Sequence, residues 1–274
     1  MINNRCNICG SASHFIFRAL ILQKYDTEYF QCGNCNFIQT EMPYWLGESY
    51  QTAITDLDLG LIYRNIQLSE ILESLLLKDI VDQNGKFLDY GGGYGMFVRI
   101  MRDKGFNFYR QDIHCQNLFA KHFDISNIKI TEKFDLLTAI EVFEHLEDPM
   151  MEIEKMLSLS DNIFFSTELV PDNNMDFASW WYFAPEMGQH VSFFTIHSLR
   201  ILAEKYKLNF YSNGSSLHMF LKTKLDADPF AKAQVNGRWE SISMLFKPKS
   251  IIKKRKSLLQ NDFNLVRGLI NLQK

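Results

Sequence analysis

The sequence predicts an α/β fold, a doubly wound sheet preceded by a small metal-stabilised module. Three observations carry that expectation. Strand-like and helix-like stretches alternate through the middle of the chain, four glycines fall within five residues directly after a short apolar run, and four of the five cysteines are paired as CxxC. Alternation of this kind builds a sheet with helices on both faces, with ligands at the carboxyl ends of its strands.

The elements follow in order. Residues 1 to about 44 hold "CNICG" and "CGNCN" with short aromatic and β-branched runs between them. A segment of about forty residues buries too little core to fold alone, and a structural metal is the natural supplement. In "LIYRNIQLSEILESLLLKDI" the apolar positions 61/62, 66, 68, 71/72 and 75/76 keep helical period. "GKFLDY" reads as a strand, "MFVRIMRDKG" as a helix ending at Gly105, and "FNFYRQD" as a second strand. "KFDLLTAIEVF" is a buried strand, after which Asp148 is placed to N-cap a helix with Pro149 at its first position. "NIFFSTEL" is a further strand, Thr195 is placed to cap "IHSLRILAEKY", and "LNFYSNG" with "SSLHMFLKT" forms a closing antiparallel pair. From about 230 the chain is less patterned, although "IIKKRKSLLQNDFNLVRGLINL" has the spacing of an amphipathic helix. The expected organisation is a module over 1–44, a body over 45–229 and a basic extension over 230–274.

Charge separates the last part from the rest. The formal net charge is −3, yet residues 230–274 hold ten Lys/Arg against two Asp/Glu, leaving +8 there and −11 before it. An acidic body disfavours nucleic acid. The basic helix is expected to pack on its own domain, with peripheral membrane contact or a partner surface as its alternatives. Neither a signal-like N-terminus nor an apolar run of membrane-spanning length is visible, so the cytoplasm is the expected compartment.

The glycine loop decides the cofactor class. "FLDYGGGYG" spaces Asp89, Gly91, Gly93 and Gly95 two residues apart. A dinucleotide fingerprint needs its third glycine where Met96 stands, and a phosphate loop needs Gly-Lys-Ser/Thr. A carboxylate two residues ahead of the first glycine would repel a pyrophosphate, whereas it favours the cationic S-adenosylmethionine (SAM). Asp112 follows 23 residues after Asp89, at the end of the next strand, where a carboxylate can accept both ribose hydroxyls.

With "FLDYGGGYG", "FYRQD" and "FDLLTAIEVFEHLEDP" in this order, the chain resembles the class I SAM-dependent methyltransferases, over roughly residues 50 to 225. The likeness is to the branch that acts on small molecules, quinones and sugars. It implies a Rossmann-like seven-stranded sheet with an antiparallel last strand. It further implies Asp89, Gly91, Gly93 and Gly95 around the methionine part of SAM, Asp112 at the ribose, and Glu141 near the cofactor at the fourth strand.

Cys6-x2-Cys9 and Cys32-x2-Cys35, separated by 22 residues, are a zinc signal. Gly10 and Gly33 sit where each knuckle turns toward sulfur. With four cysteine ligands the ion has no open position and is structural. Cys115 stands apart as a partly buried thiol. A zinc ribbon ahead of a SAM domain resembles two arrangements: sugar C-methyltransferases acting on nucleotide-linked deoxysugars, and ribosomal RNA methyltransferases with an N-terminal zinc module. The former usually add a C-terminal domain, for which this chain has about fifty residues.

Methyl transfer from a sulfonium requires alignment of the acceptor and, for a hydroxyl or carbon acid, removal of a proton. His190 and His145 are the candidate bases, Glu144 a weaker one. Of Trp180, Trp181, Tyr182 and Phe183, some must face a cleft, because neighbouring side chains point in different directions. Asp56, Arg64 and Asn65 are expected to form an ordinary polar helix face, with closure of the cofactor pocket as the alternative. The expected activity is methylation of a small-molecule or saccharide acceptor, nucleotide- or lipid-linked forms included, on oxygen first and carbon next. An RNA methyltransferase and a non-catalytic, partner-binding subunit stand as the alternatives.

Overall fold

The structure, a computed structural model, describes residues 5–50, 58–171, 177–231 and 255–272. Two CxxC turns flank a hairpin at the N-terminus. Strand β1 (Ser13–Ile21) pairs antiparallel with β2 (Tyr25–Cys32), and β2 with β3 (Ile38–Thr40). The turns are the same device used twice. The amide of Gly10 donates to the Cys6 carbonyl at 2.9 Å, and that of Asn36 to the Cys32 carbonyl at 3.1 Å. Both residues have positive φ, 73° and 58°. The left-handed residue of the second turn is therefore Asn36 rather than the expected Gly33, a substitution that asparagine tolerates better than most residues.

A one-turn helix α1 (Leu46–Ser49) leads to α2 (Leu61–Leu76), which buries Leu68, Ile71, Leu72, Leu75 and Leu76 on one stripe. Then come β4 (Lys86–Tyr90), α3 (Met96–Asp103), β5 (Asn107–Gln111), β6 (Leu136–Ile140), α4 (Pro149–Leu159) and β7 (Ile163–Ser166). Asp148 caps α4, accepting from the Met151 amide at 3.0 Å, with Pro149 at the first helical position. The two-residue strand β8 (Ser192–Phe193) precedes α5 (Ile196–Lys205), which Thr195 and Ser198 open as a reciprocal cap. Strands β9 (Asn209–Ser212) and β10 (Leu217–Leu221) end the body.

The central sheet has the order β5-β4-β6-β7-β10-β9, with β10 antiparallel to both neighbours. Strands β6 and β7 are buried on both faces, as helix-covered parallel strands are. Among the described residues six strands stand where seven are expected. Next to β5, in the place of the seventh, there is a single parallel bridge between Arg110 and Asp124. The segment after it turns into a short 3-10 helix, Ile125–Asn127, held by a reciprocal cap between Asp124 and Asn127.

The N-terminal module does not fold beside the body; it shares cores with it. β3 pairs with β8, so the small sheet runs β1-β2-β3-β8. Cys6, Cys32, Cys35 and Phe37 pack in one cluster with Leu88, Phe143 and Phe194 of the body. A second joint cluster sets Ile21, Tyr29 and Trp45 against Tyr182, Phe183 and Phe193. The Thr195 hydroxyl, already a helix cap, donates to the Cys35 carbonyl at 2.7 Å.

Within the C-terminal extension α6 (Leu259–Leu272) is described, while positions 251/252 of the expected helix lie outside the described residues. The helix anchors through Asp262, which accepts two bonds from the buried Arg102 of α3, at 2.8 and 2.7 Å, and faces Arg99 at 2.9 Å. No helix among the described residues is long and apolar enough to cross a membrane.

Candidate active site and metal centre

The carboxyl ends of β4, β5 and β6 open into one cavity of about 1160 Å³. Its floor is the turn from β4 to α3. Gly91 and Gly93 hold φ of 66° and 52°, and a Cβ built on Gly93 would meet nothing within 4 Å, so main chain is laid bare to the cavity. At Gly91 the constraint is steric as well, because a Cβ would stand 2.8 Å from Val142. Gly95, expected in the same set, is not among the cavity-lining residues. It begins α3 with φ of 85°, and a Cβ there would collide with the Asn117 side chain at 2.6 Å. It shapes the loop from behind.

Asp89 is buried beneath the glycines and accepts from the Thr138 hydroxyl at 2.6 Å. Burial pushes its carboxyl up to about 7, with the Thr138 bond opposing and the Asp112 charge adding to the shift. Asp112 clamps the loop. One of its oxygens accepts from the Gly93 amide at 2.8 Å, the other from the amides of His114 and Cys115 at 2.7 Å each. Ile113 and Phe119 line the cavity beside it.

The opposite wall comes from the end of β6. Glu141 lies in the left-handed region, φ 51°, and bonds Ser166 through both main chain and side chain, at 2.9 and 2.6 Å. Burial, followed by the charge of Glu144, pushes its carboxyl up to about 7. Arg64 lies 4.0 Å from Glu141 and holds Asp58 at 2.8 and 2.9 Å. Of the trio read as a polar helix face or a pocket closure, Arg64 and Asn65 do line the cavity, while Asp56 lies outside the described residues.

His145 and His190, 45 positions apart in sequence, meet with ring centroids 5.0 Å apart. A main-chain bond brings them together: the Val191 amide donates to the Glu144 carbonyl at 2.9 Å. His145 Nδ1 lies 3.0 Å from the Gln189 carbonyl and His190 Nδ1 2.6 Å from the Tyr182 carbonyl. A carbonyl only accepts, so each Nδ1 carries the proton and each Nε2 is free. Burial lowers His145 to about 4 and His190 to about 3, the latter helped by its neighbour His145. Glu144 is fully buried, its carboxyl pushed up to about 7 by desolvation. The aromatic run divides: Trp181 lines the cavity, Trp180 and Phe183 pack against the N-terminal sheet, and the buried Tyr182 belongs to both walls.

A model of the methyltransferase domain matches residues 62–213, more than half of the chain. The chain belongs to the methyltransferase-domain family. It is a class I, SAM-dependent enzyme, with the Rossmann-like sheet order of β4 to β10 beneath its site. No curated protein matches. Solved structures with a related fold include an O-methyltransferase family protein from Burkholderia thailandensis, at 10% identity, covering 66% of this chain and 68% of that one with a TM-score of 0.45. The mitomycin 7-O-methyltransferase is 13% identical, with 64% and 60% covered and a TM-score of 0.42. The magnesium protoporphyrin IX methyltransferase from Synechocystis PCC 6803 is 13% identical, with 66% and 94% covered and a TM-score of 0.38.

A second centre lies outside the cavity. The sulfurs of Cys6 and Cys35 are 3.6 Å apart, those of Cys9 and Cys32 3.4 Å, and those of Cys9 and Cys35 3.7 Å. Tetrahedral thiolates about 2.3 Å from zinc stand about 3.8 Å apart, so the cluster is nearly at its ligated spacing. Main-chain amides of Ile8, Asn34 and Cys35 point at Cys6 and Cys32 sulfur, each at 3.4 Å, which favours thiolate. The cluster fits a zinc ribbon.

The sequence reading missed Thr138 and Ser166, the two hydroxyls that position Asp89 and Glu141. Both lie on strands whose apolar neighbours gave no sign of a polar duty. It also missed the stacking of Tyr50 on His114, at 4.9 Å between ring centroids, which no local pattern foreshadows.

Proposed function

We propose that the cavity binds SAM and a small-molecule or saccharide acceptor together, and that the enzyme methylates that acceptor on oxygen, with carbon as the second choice. The size of the cavity supports this, since about 300–1000 Å³ suffices for one drug-sized ligand. When bound, SAM supplies a methyl group already activated on a sulfonium. The residues proposed to hold it are Gly91 and Gly93 with their exposed main chain, Asp89 and Glu141 near its cationic end, and Asp112 at the ribose. Gly95 supports them through the loop. Ile113 and Phe119 offer apolar surface next to Asp112, as a purine ring requires. Trp181 and Tyr182 are placed to stack on a ring of the acceptor.

The acceptor's proton is assigned to the cluster of His145, His190 and Glu144. Each imidazole is held by a main-chain carbonyl and presents a free Nε2, the state a general base needs. Structural zinc is assigned to Cys6, Cys9, Cys32 and Cys35. The division into ribbon (1–44), transferase body (45–229) and extension (230–274) is proposed as one of roles, given the shared cores.

The observation that carries the reading is Asp112 locking the bared Gly93 main chain into the cavity floor. Asp112→Ala should weaken SAM binding at least tenfold by calorimetry while far-UV circular dichroism stays unchanged. Unaltered affinity would remove the ribose assignment. Transfer of radiolabel from methyl-SAM into extract, fractionated by size and split by RNase treatment, then identifies the acceptor class.

A further inference from the structure

Base chemistry at one proton uses one imidazole, and the site contains more than that. Glu144 has no exposed surface, and neither of its carboxylate oxygens makes a hydrogen bond. The hydroxyls of Tyr182 and Thr167 lie near enough to favour its charged form, without either making a well-formed bond to it, and they contact each other at 3.4 Å. A buried carboxylate supported only by two loosely placed hydroxyls is costly and calls for an explanation. Beside it are two imidazoles whose Nδ1 protons are given to main-chain carbonyls, the orientation in which ligating histidines are held.

We propose that Glu144, His145 and His190 bind a divalent first-row transition cation. One ligand atom from each lies within 4.8 Å of the others, so a contraction of less than about 1 Å places all three within bonding distance, roughly 2.0–2.2 Å, of one ion. Two imidazole nitrogens and a carboxylate oxygen form the mixed donor set that such cations take, with positions left open on the cavity side. Charge agrees. In ionised form Glu144, Glu141 and Asp58 carry three negative charges, and Arg64, bonded to Asp58 and 4.0 Å from Glu141, returns one. The surplus of acid over base at this wall favours a cation.

The ion's place in the reaction rests on the methyl-transfer reading; the site itself does not. On that reading the acceptor presents an oxygen to the open side of the ion, which makes its hydroxyl a stronger acid and lets the proton pass to water. The two imidazoles then serve the same proton through the ion rather than one of them taking it directly. Acceptors with an oxygen at the methylated position are favoured over unactivated carbon.

The test uses the full chain carrying a single equivalent of zinc, which the four cysteines take first, without SAM or acceptor, titrated with Mn2+ and followed by electron paramagnetic resonance of the free ion. Mn2+ prefers nitrogen and oxygen to thiolate, so it reports on this site and not on the cysteines. One Mn2+ per chain is expected, weakened at least tenfold in Glu144→Gln and His190→Gln and unchanged in His218→Gln. At sub-stoichiometric Mn2+, paramagnetic broadening should be strongest at the ring resonances of His145 and His190 in the unmodified protein and weaker at His218, one residue further out behind Thr167, which keeps the test valid if a variant fails to fold. Absence of saturable Mn2+ binding, or broadening that spares His145 and His190, overturns the site. A chain that binds Mn2+ but shows no heat with SAM retains the site and loses the transferase reading instead.

Discussion

His218 shows how much a single buried residue can set. It sits on β10 with no exposed surface, donating from Nε2 to the Thr167 carbonyl at 3.0 Å and accepting at Nδ1 from Ser212 at 2.9 Å. Acceptance from Ser212 needs the neutral ring, and burial lowers the group from 6.5 to about 4 against the opposing Thr167 bond. The unfolded chain therefore binds this proton first as the pH falls. Stability from this residue is complete above pH 6.5 and is lost as the pH drops toward 4, by about 3 kcal/mol in all. Urea unfolding at pH 7 and pH 5 should show a smaller difference in His218→Gln than in the unmodified protein. An equal difference in both would place the acid sensitivity elsewhere. Asn36 makes a similar point without charge, since its φ of 58° completes the second cysteine turn that glycine completes in the first.

At the scale of elements, the attachment of α6 is the least expected feature. The extension is strongly basic, yet one of its two acids, Asp262, holds the helix to α3 through Arg102. Both partners are almost wholly buried, so removing one strands the other. Asp262→Ala should cost about 3 kcal/mol in chemical denaturation, and the apolar pair Arg102→Met with Asp262→Leu should recover most of it. A cost below about 1 kcal/mol would mean that α6 detaches and leaves Arg102 hydrated. Leu259, Phe263, Leu265, Leu269 and Ile270 remain exposed along this helix.

For the whole molecule, the cysteine cluster behaves as core. Cys6, Cys32 and Cys35 pack with residues from β4, β7 and α5, and the strand beside the ribbon, β8, comes from the body. Stripping zinc with a chelator should thus lower one cooperative transition. Far-UV circular dichroism and tryptophan fluorescence are expected to report the same reduced midpoint. Two separated transitions would show a ribbon that unfolds alone. Elemental analysis should find at least one zinc per chain, the share held by the four cysteines.

Much of this was legible in residue order because the signals are local. Strand and helix periods, the caps at Asp148 and Thr195 and the CxxC pairs each depend on neighbours within a few positions, and each appears in the structure as expected. The family follows from those same stretches. Four matters were decided only by the tertiary structure: the reduction of the seventh strand to a bridge, the placing of Gly95 behind the cavity wall, the shared core of ribbon and body, and the meeting of Glu144, His145 and His190. Pairing, burial and the convergence of side chains far apart in sequence depend on how elements pack. Residue spacing along one strand or helix carries no record of that.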